Sequence, residues 1–436
     1  MKSINKSCNA GDNCIRYISL NSKVNIFLYA CIIVHSIVFI MKHYYGERSS
    51  IVYAGFIIIG VLSFYGAVRE KQCISIKKIV YIFSYIFFFL APWQQYSEGS
   101  KPIWPGVFLH YSDQLYLKAN FSIGLFLISF LLTSILYEKK PVDSEQGTPI
   151  WRLSTLTIRT RCILTIASIG TLLLLLFSGN LEGHGVLVSN ENVNFQLLSM
   201  LRFVPGYALL MYGTVYNRKN PVARIKSIFQ HKETILILIC FFIVYNPLYG
   251  WSSRMKWMIP VTIILAMLFY DCKLNSLLFF IMYFVLVILF TSLKRVTLSS
   301  IDWCVFFENI NLNYYDYDAY QLLMTIISYT DKVGITYGKN LLTALAFIIP
   351  RSVWTGKMDA TGSLAITFWG SSEWNVSAPL VSELYFSGKW IGCIIGAIVF
   401  AILFSIIDRW CGSNSIIKRG IFCIFSGEIL YICRGA

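Results

Sequence analysis

The sequence predicts an all-α polytopic membrane protein, and its composition and its long apolar runs indicate this class. Of its 436 residues, 56% are hydrophobic and only 14% are charged, whereas a soluble domain carries about 25% charged residues. Apolar runs long enough to cross a bilayer, which takes about 20 helical residues each, recur along the chain. We therefore expect one integral membrane domain over residues 1–436 and exclude an ordinary soluble enzyme.

The apolar runs predict about eleven membrane-spanning helices. Basic connectors alternate with connectors that are poor in Lys and Arg, and the positive-inside rule assigns the basic ones to the cytoplasm. The N-terminus is then cytoplasmic and the C-terminus external. The predicted spans are, in order, 24–41, 51–68, 79–93, 117–137, 162–177, 197–216, 234–249, 257–270, 277–293, 390–407 and 421–431.

The composition of the connectors indicates on which side of the membrane each span begins and ends. The N-terminal arm and the connectors 69–78, 138–161, 217–233 and 408–419 are basic and so cytoplasmic. The loop after residue 93 is rich in proline and aromatic residues, which is typical of an ordered external loop, and the loop after residue 177 contains no Lys or Arg. The stretch 246–256 (NPLYGWSSRMK) is rich in Asn, Pro, Gly and Ser and predicts a tight external turn.

The net charge of +15 does not indicate a nucleic-acid partner, because the basic residues sit in short connectors where they determine topology. The twelve cysteines are scattered singly without a Cys-x-x-Cys pair. We interpret them as small hydrophobic residues kept reduced.

One connector, residues 294–388, is expected to be external and is far longer than the usual connection of about 4–6 residues. Within it, residues 319–329 place Leu322, Leu323, Ile326 and Ile327 on one helical face. This amphipathic pattern predicts a helix that lies on the bilayer or caps the helix bundle.

A second short helix is predicted over residues 340–349 of this segment. We expect Pro350 to end it, because proline lacks an N–H and disfavours helical backbone at the preceding residue. Arg351 is then the first residue past the break. Further along, Gly388, Gly392 and Gly396 repeat at four-residue spacing, which predicts a small-residue face for close helix packing.

Three stretches of this region resemble a known family. Residues 348–357 (IIPRSVWTGK), Gly362 and residues 378–392 (APLVSELYFSGKWIG) resemble the Pro-Arg…Trp…Lys and Pro…Gly/Ser-Glu-x-Tyr-x-x-x-Gly-x-x-Gly pattern near the C-terminus of Wzy-type O-antigen polymerases. The resemblance covers the last quarter of the chain, and the remainder agrees in topology.

The resemblance implies a multi-pass glycosyltransferase of the bacterial inner membrane with a GT-C-like helical architecture and a periplasmic active site. It would transfer a growing polysaccharide from undecaprenyl diphosphate onto the next lipid-linked repeat unit during lipopolysaccharide biosynthesis. The implied partners are the lipid-linked donor and acceptor glycans and membrane lipid. A chain-length regulator and a flippase are the candidate protein partners, and no cofactor is expected.

A diphosphate donor needs cationic groups at the outer leaflet, and arginine binds phosphate with paired hydrogen bonds. Arg351 is the first candidate and is assigned a catalytic role in stabilising the leaving group. Arg254, Lys357 and Arg202 are further candidates, and Arg202 lies inside a predicted span, where a charged residue is a functional candidate by default. The alternative for each is a topology residue at the interface.

The acceptor hydroxyl must lose a proton as it attacks the anomeric carbon, and Glu383, in the matched motif, is the predicted base. Its alternative role is an ion pair or a structural hydrogen bond. Asp359 is predicted to contact substrate. Flat aromatic faces suit sugar rings, so Trp354, Trp374 and Tyr385 are predicted sugar contacts, with an interfacial aromatic belt as the alternative.

Asp316 and Asp318 form an Asp-x-Asp triplet, which holds a divalent metal in some glycosyltransferases. We expect arginines rather than a metal ion to neutralise the diphosphate.

Two other functions compete with the polymerase. A flippase for lipid-linked oligosaccharides would also be polytopic, but short loops and internal repeats are expected there, and this sequence shows no repeat. An O-antigen ligase would carry an important histidine in the long loop, and residues 294–388 contain none.

Overall fold

The computed structural model is helical in every part of the chain that it describes and contains no strand there, which confirms the all-α class. It describes residues 22–70, 72, 74–99, 104–138, 158–177, 204–209, 232–244, 258–269, 276–293, 311–346, 349, 353–373, 376, 378–412 and 416–435.

The helices match most of the predicted spans. They are, in chain order, α1 (Ser22–Lys42), α2 (Ser50–Arg69), α3 (Ile76–Ser97), α4 (Asp113–Glu138), α5 (Ile158–Phe177), α6 (Lys232–Val244), α7 (Met258–Phe269), α8 (Ser276–Leu293), α9 (Ala319–Val333), α10 (Lys339–Leu345), α11 (Thr361–Phe368), α12 (Leu380–Arg409) and α13 (Ile416–Arg434). The predicted span 197–216 lies largely outside the described residues. Among those described, α2, α3, α4 and α12 are long and apolar enough to cross a membrane. The described helices therefore have the length and composition of a helical membrane protein. The number of eleven spans stays a prediction.

Helix α3 forms the centre of the bundle. Its apolar stretch is wholly buried, whereas those of α2, α4 and α12 are no more than half buried. Helices α2, α12 and α13 pack against it, and α4 packs on α2 and α12. Pro92 has no N–H to donate to the carbonyl group four residues back. A π-helical turn precedes it, and there the amide of Ala91 donates to the carbonyl of Ile86, five residues back.

Polar contacts between connectors gather at two ends of the bundle. At one end Ser75 Oγ donates to Asp408 Oδ2 over 2.7 Å. At the other end the amide of Phe108 donates to the carbonyl of Trp369 over 3.0 Å. Each contact joins segments that the alternation of basic connectors assigns to one side of the membrane. Which end faces the cytoplasm stays a prediction.

Two lysines of the basic connector 69–78 are buried instead of solvated. Lys77 forms an ion pair with Glu70 at 3.1 Å, and both side chains are nearly inaccessible. Lys78 is fully buried, and its ammonium group lies over the ring of Phe279, 5.6 Å from the centroid. These charges thus take part in packing as well as in the predicted topology.

Helix α9 confirms the predicted helix at 319–329 but does not lie on the bilayer. All four residues of its predicted apolar face are buried, and so are the polar residues Gln321 and Thr325. Thr325 Oγ1 is 3.0 Å from the hydroxyl of Tyr111, so burial does not leave it without a partner. Helix α9 is a core element that packs against α4, α11 and α12.

The prediction that Pro350 ends the short helix was wrong, because α10 ends at Leu345. Beyond this end, Lys357 Nζ donates to the carbonyl oxygens of Ala346, at 3.4 Å, and Ile349, at 3.1 Å. A cation at the end of a helix satisfies carbonyls that have no partner inside it. Helix α11, which follows in the glycine-rich stretch, was not predicted.

Helix α12 is broken at Gly388 and Lys389, whose backbone angles are not helical. The arm 380–387 packs back along the start of the long arm, and Cys393 Sγ lies 3.8 Å from the carbonyl oxygen of Val381. The predicted close packing is therefore present, but its partner is the preceding arm of the same helix.

Leu384 occupies the space beside two of the three predicted packing glycines. A Cβ atom on Gly392 would overlap the carbonyl oxygen of Leu384, and one on Gly396 would overlap its side chain. A Cβ atom on Gly388 would meet no atom within 4 Å, so the packing role applies to Gly392 and Gly396 only.

Gly392→Ala is expected to destabilise the protein by about 1–3 kcal/mol, because the backbone of Leu384 must move to admit the methyl group. Gly124→Ala in α4 is the matched control, since its Cβ position is open. Alanine there should leave stability unchanged or raise it by up to about 1 kcal/mol. Unfolding of the purified variants in one detergent measures both, and equal stability of the Gly392→Ala variant and the unmodified protein would contradict the close packing.

Candidate functional site

Glu383 lies on the short arm of α12 and faces α10 and α11. Its Oε2 atom accepts hydrogen bonds from Asn340 Nδ2, at 2.5 Å, and from Thr361 Oγ1, at 2.8 Å. In the part of the chain that the structure describes, no basic side chain lies within ion-pair distance of this carboxylate. Neutral donors therefore hold one oxygen of Glu383 in a fixed direction.

Asn340 holds this arrangement from several directions. Its Nδ2 atom also donates to the backbone oxygen of Glu383 at 2.9 Å. Its Oδ1 atom accepts from Thr336 Oγ1 at 2.6 Å and from Ser387 Oγ at 2.9 Å. Both ends of the buried amide are thus hydrogen-bonded, which fixes its orientation. Sequence analysis missed Asn340, whose only signal was a polar residue at the start of an apolar helix.

Local backbone geometry places Asn340 beside Glu383. Gly334 ends α9 with φ 90°, and Gly338 precedes α10 with φ 84°, both in the left-handed region that favours glycine. Between them, the amide of Thr336 donates to the carbonyl of Phe386 over 3.0 Å. The link between α9 and α10 is therefore tied directly to the short arm of α12.

A small apolar cluster packs next to this network. Ile326, Ala365, Ala378 and Phe386 are buried together, and Met358 packs against them. They come from α9, α11, the segment just before α12, the short arm of α12 and the segment before α11. The cluster joins the elements that carry Glu383 and Thr361, so the site has a packed base of its own.

The other predicted site residues have different environments. Trp354 and Lys357 are half-buried, Asp359 is exposed, and Tyr385 is only 2% exposed. A buried ring favours a packing role for Tyr385 over a sugar contact. The amide of Met358 donates to Thr343 Oγ1 at 3.3 Å, so the segment with Lys357 and Asp359 runs along α10. Four predicted residues lie outside the described part of the chain: Arg202, Arg254, Arg351 and Trp374.

Two lysines and one aspartate form an ion-pair cluster at the break in α12. Asp331 contacts Lys118 Nζ at 2.7 Å and Lys389 Nζ at 3.2 Å. Partial burial alone would raise the pKa of Asp331, but the hydrogen bonds and charges of the two lysines outweigh it and lower the pKa. Lys389 has φ 51°, which is unfavourable for a residue with a side chain. The ion pair helps to hold that backbone in place.

A second acidic group at this end is bound by an arginine. Asp318 is fully buried, and its carboxylate contacts Arg434 NH2 at 3.4 Å and Trp104 Nε1 at 3.1 Å. Burial raises the pKa of Asp318, and the charge of Arg434 opposes that shift. Asp316 is also buried. The pair joins the end of α13 to the start of α9, a contact that sequence analysis missed.

The Asp331 cluster predicts a stability effect that depends on pH. Because the folded-state pKa is lowered, the stabilisation is present above the unfolded-state pKa of about 4 and is lost as the pH falls through the folded-state value. Asp331→Asn should cost up to about 1 kcal/mol at pH 7. The difference from the unmodified protein should shrink below about pH 4. Unfolding measured from pH 3 to pH 8 tests this, and a difference that grows in acid would contradict it.

Arg434→Ala is expected to destabilise the protein by about 3–5 kcal/mol, because it leaves the charge of Asp318 buried and unpaired. The double variant Arg434→Ala, Asp318→Asn should recover much of this loss. Glu233→Gln breaks an exposed pair with Arg161 at 3.9 Å and is the control, with an expected cost of about 0–1 kcal/mol. Thermal unfolding of the variants measures these differences. A double variant with lower thermal stability than Arg434→Ala would refute the pairing.

Comparison with protein-family models, curated proteins and solved structures finds no match to this chain. The resemblance at residues 348–357 and 378–392 therefore remains an expectation from the sequence.

Proposed function

We propose that this protein is a membrane glycosyltransferase that polymerises oligosaccharide repeat units linked to undecaprenyl diphosphate, on the periplasmic face of the bacterial inner membrane. The observation that best supports the proposal is the Glu383 carboxylate, which is enclosed by α10, α11 and α12 and oriented by Asn340 and Thr361. This carboxylate falls in the stretch that resembles O-antigen polymerases.

In the proposed reaction Glu383 takes the proton of the acceptor hydroxyl. The acceptor oxygen forms a bond to the anomeric carbon of the donor, and the bond from that carbon to the diphosphate oxygen breaks. Undecaprenyl diphosphate leaves with the bonding electrons. Among the described residues, both hydrogen bonds to the carboxylate fall on Oε2, so Oε1 is the proposed proton acceptor.

The leaving diphosphate needs positive charge, and we assign this role first to Arg351. Arg254, Arg202 and Lys357 are the further candidates. Lys357 already donates to the carbonyl oxygens beyond α10, so it would have to exchange those bonds for phosphate oxygens. This requirement makes an arginine the better first choice, because its planar fork binds phosphate with two hydrogen bonds.

The role of Glu383 is tested by complementing a strain that lacks the gene. Glu383→Gln removes the base with little change in shape and should abolish chain extension while the protein accumulates normally in the membrane. Glu373→Gln is the matched control, because Glu373 is exposed in the same segment, and it should retain the full ladder of lipopolysaccharide chains. A normal ladder with Glu383→Gln would remove Glu383 from the mechanism.

The orienting role of Thr361 predicts a graded result in the same assay. Thr361→Ala loses the hydrogen bond to Glu383 and should slow chain extension by about tenfold. Thr361→Ser keeps the hydroxyl group and should restore most of the rate. If both variants behave alike, the hydroxyl group does not orient the base.

The class of the protein is tested by deleting its gene. A polymerase deletion leaves lipopolysaccharide with a single repeat unit. Repeat units that accumulate on the cytoplasmic face would instead indicate the flippase. Long polymer that accumulates on the lipid carrier without reaching lipid A would indicate the ligase.

A further inference from the structure

A cavity of about 460 Å³ lies at the end of the bundle opposite Glu383. Its walls come from the connector between α2 and α3 and from the last turn of α12. The residue next to Glu383, Leu384, lies level with Gly392 and Gly396 of the long arm of α12. The rest of that arm, as far as Arg409, separates the two sites by about 20–25 Å at 1.5 Å per residue. The cavity is therefore distinct from the proposed active site and does not depend on the function proposed for it.

The described lining of the cavity carries a net positive charge. Its basic side chains are Arg69, Lys77 and Arg409, and its acidic ones are Glu70 and Asp408. Both acidic groups are engaged within the protein. Glu70 pairs with Lys77 at 3.1 Å, and Asp408 accepts hydrogen bonds from the first residues of α3.

The guanidinium group of Arg409 is fixed in direction. It lies over the ring of Tyr137, 4.5 Å from the centroid, and its NH2 atom donates to the backbone oxygen of Tyr137 at 2.9 Å. A cation that is stacked and hydrogen-bonded loses little freedom when it binds an anion. This wall of the cavity is thus preorganised for a negatively charged group.

Ser405 provides an independent indication that a polar ligand binds. It is 3% exposed and lines the cavity, and within the described residues its Oγ atom has no hydrogen-bond partner. Among the described buried helical serines, Ser84 and Ser426 donate to the carbonyl four residues back, whereas Ser63 and Ser134 lack a partner as Ser405 does. Of these three, Ser405 is the one that lines the cavity. A buried hydroxyl without a partner costs free energy, and an acceptor atom in the cavity would remove that cost.

We propose that this cavity binds a phosphate group, held by the guanidinium groups of Arg69 and Arg409 and by the hydroxyl of Ser405. Guanidinium and hydroxyl groups are the donors that phosphate oxygens accept best. The volume lies within the range of small-ligand sites. The positive-inside expectation places this end at the cytoplasmic surface, where the phosphate of an anionic lipid headgroup or a free phosphate has access.

The proposal is tested with the full-length protein in detergent. The probes are short-chain phosphatidylglycerol, short-chain phosphatidylcholine and inorganic phosphate, and the readout is a binding titration. Phosphatidylglycerol or inorganic phosphate should bind saturably, and phosphatidylcholine should bind much more weakly. If inorganic phosphate competes with phosphatidylglycerol, the site accepts the free ion. If it does not compete, the site recognises the lipid headgroup, and both outcomes support a phosphate site.

Three variants locate the binding. Arg409→Gln should weaken it by about tenfold or more, and Ser405→Ala by about threefold. Arg159→Gln is the control, because it removes the same charge from an exposed position on another predicted cytoplasmic connector, and it should leave the affinity unchanged. Ser405→Ala removes only one buried oxygen atom. If Arg409→Gln impairs folding, the affinity of the Ser405→Ala variant still tests the proposal.

Three results would overturn the proposal. The first is that neither phosphatidylglycerol nor inorganic phosphate binds saturably. The second is that phosphatidylcholine binds as tightly as phosphatidylglycerol. The third is that Arg159→Gln weakens binding as much as Arg409→Gln, since the affinity would then reflect general surface charge.

Discussion

The packing of this bundle depends on how the buried start of α3 satisfies its backbone amides. The first amides of a helix have no acceptor within it, and the first residues of α3 are buried. Asp408 accepts from the amides of Ile76, at 2.7 Å, and Lys77, at 3.5 Å. The hydroxyl oxygen of Ser75 accepts from the amide of Lys78, and its backbone oxygen accepts from the amide of Ile79. One carboxylate from the end of α12 thus makes the burial of the central helix possible.

The same contact fixes the position of α12 along the bundle. Asp408 holds the end of the long arm against α3, and the break at Gly388 then determines where the short arm with Glu383 begins. At the opposite end, Asp331 and Lys389 hold that break against α4 and α9. Polar contacts therefore set the register of an otherwise apolar helix, because apolar packing alone tolerates sliding more readily than a hydrogen-bonded carboxylate does.

The membrane helices could be predicted from the sequence because apolar length is a property of each segment alone. The structure of the external segment 294–388 was harder to predict, because it depends on contacts between segments that are distant in the sequence. Residues 319–329 looked amphipathic, yet the helix is buried, and its polar residue Thr325 lies within hydrogen-bond distance of the hydroxyl of Tyr111. Glu383 could be chosen as a candidate from a local motif, and its role stays a prediction. The partners of Glu383 could not be predicted, because Asn340 and Thr361 lie 43 and 22 residues away in sequence and meet it only through tertiary packing.

The return of the short arm along the long arm of α12 determines the depth of Glu383. Leu384, its neighbour, lies level with Gly392 and Gly396, about one to two helical turns, or roughly 6–10 Å, below the turn at Gly388. In this position Glu383 is partly shielded from solvent. Under the proposed function, a sugar tethered to a lipid would be held at the membrane surface and reach this recess at high effective concentration, whereas a dissolved sugar would not. Under the function proposed above, the two glycines would favour membrane-bound acceptors by setting the depth of Glu383.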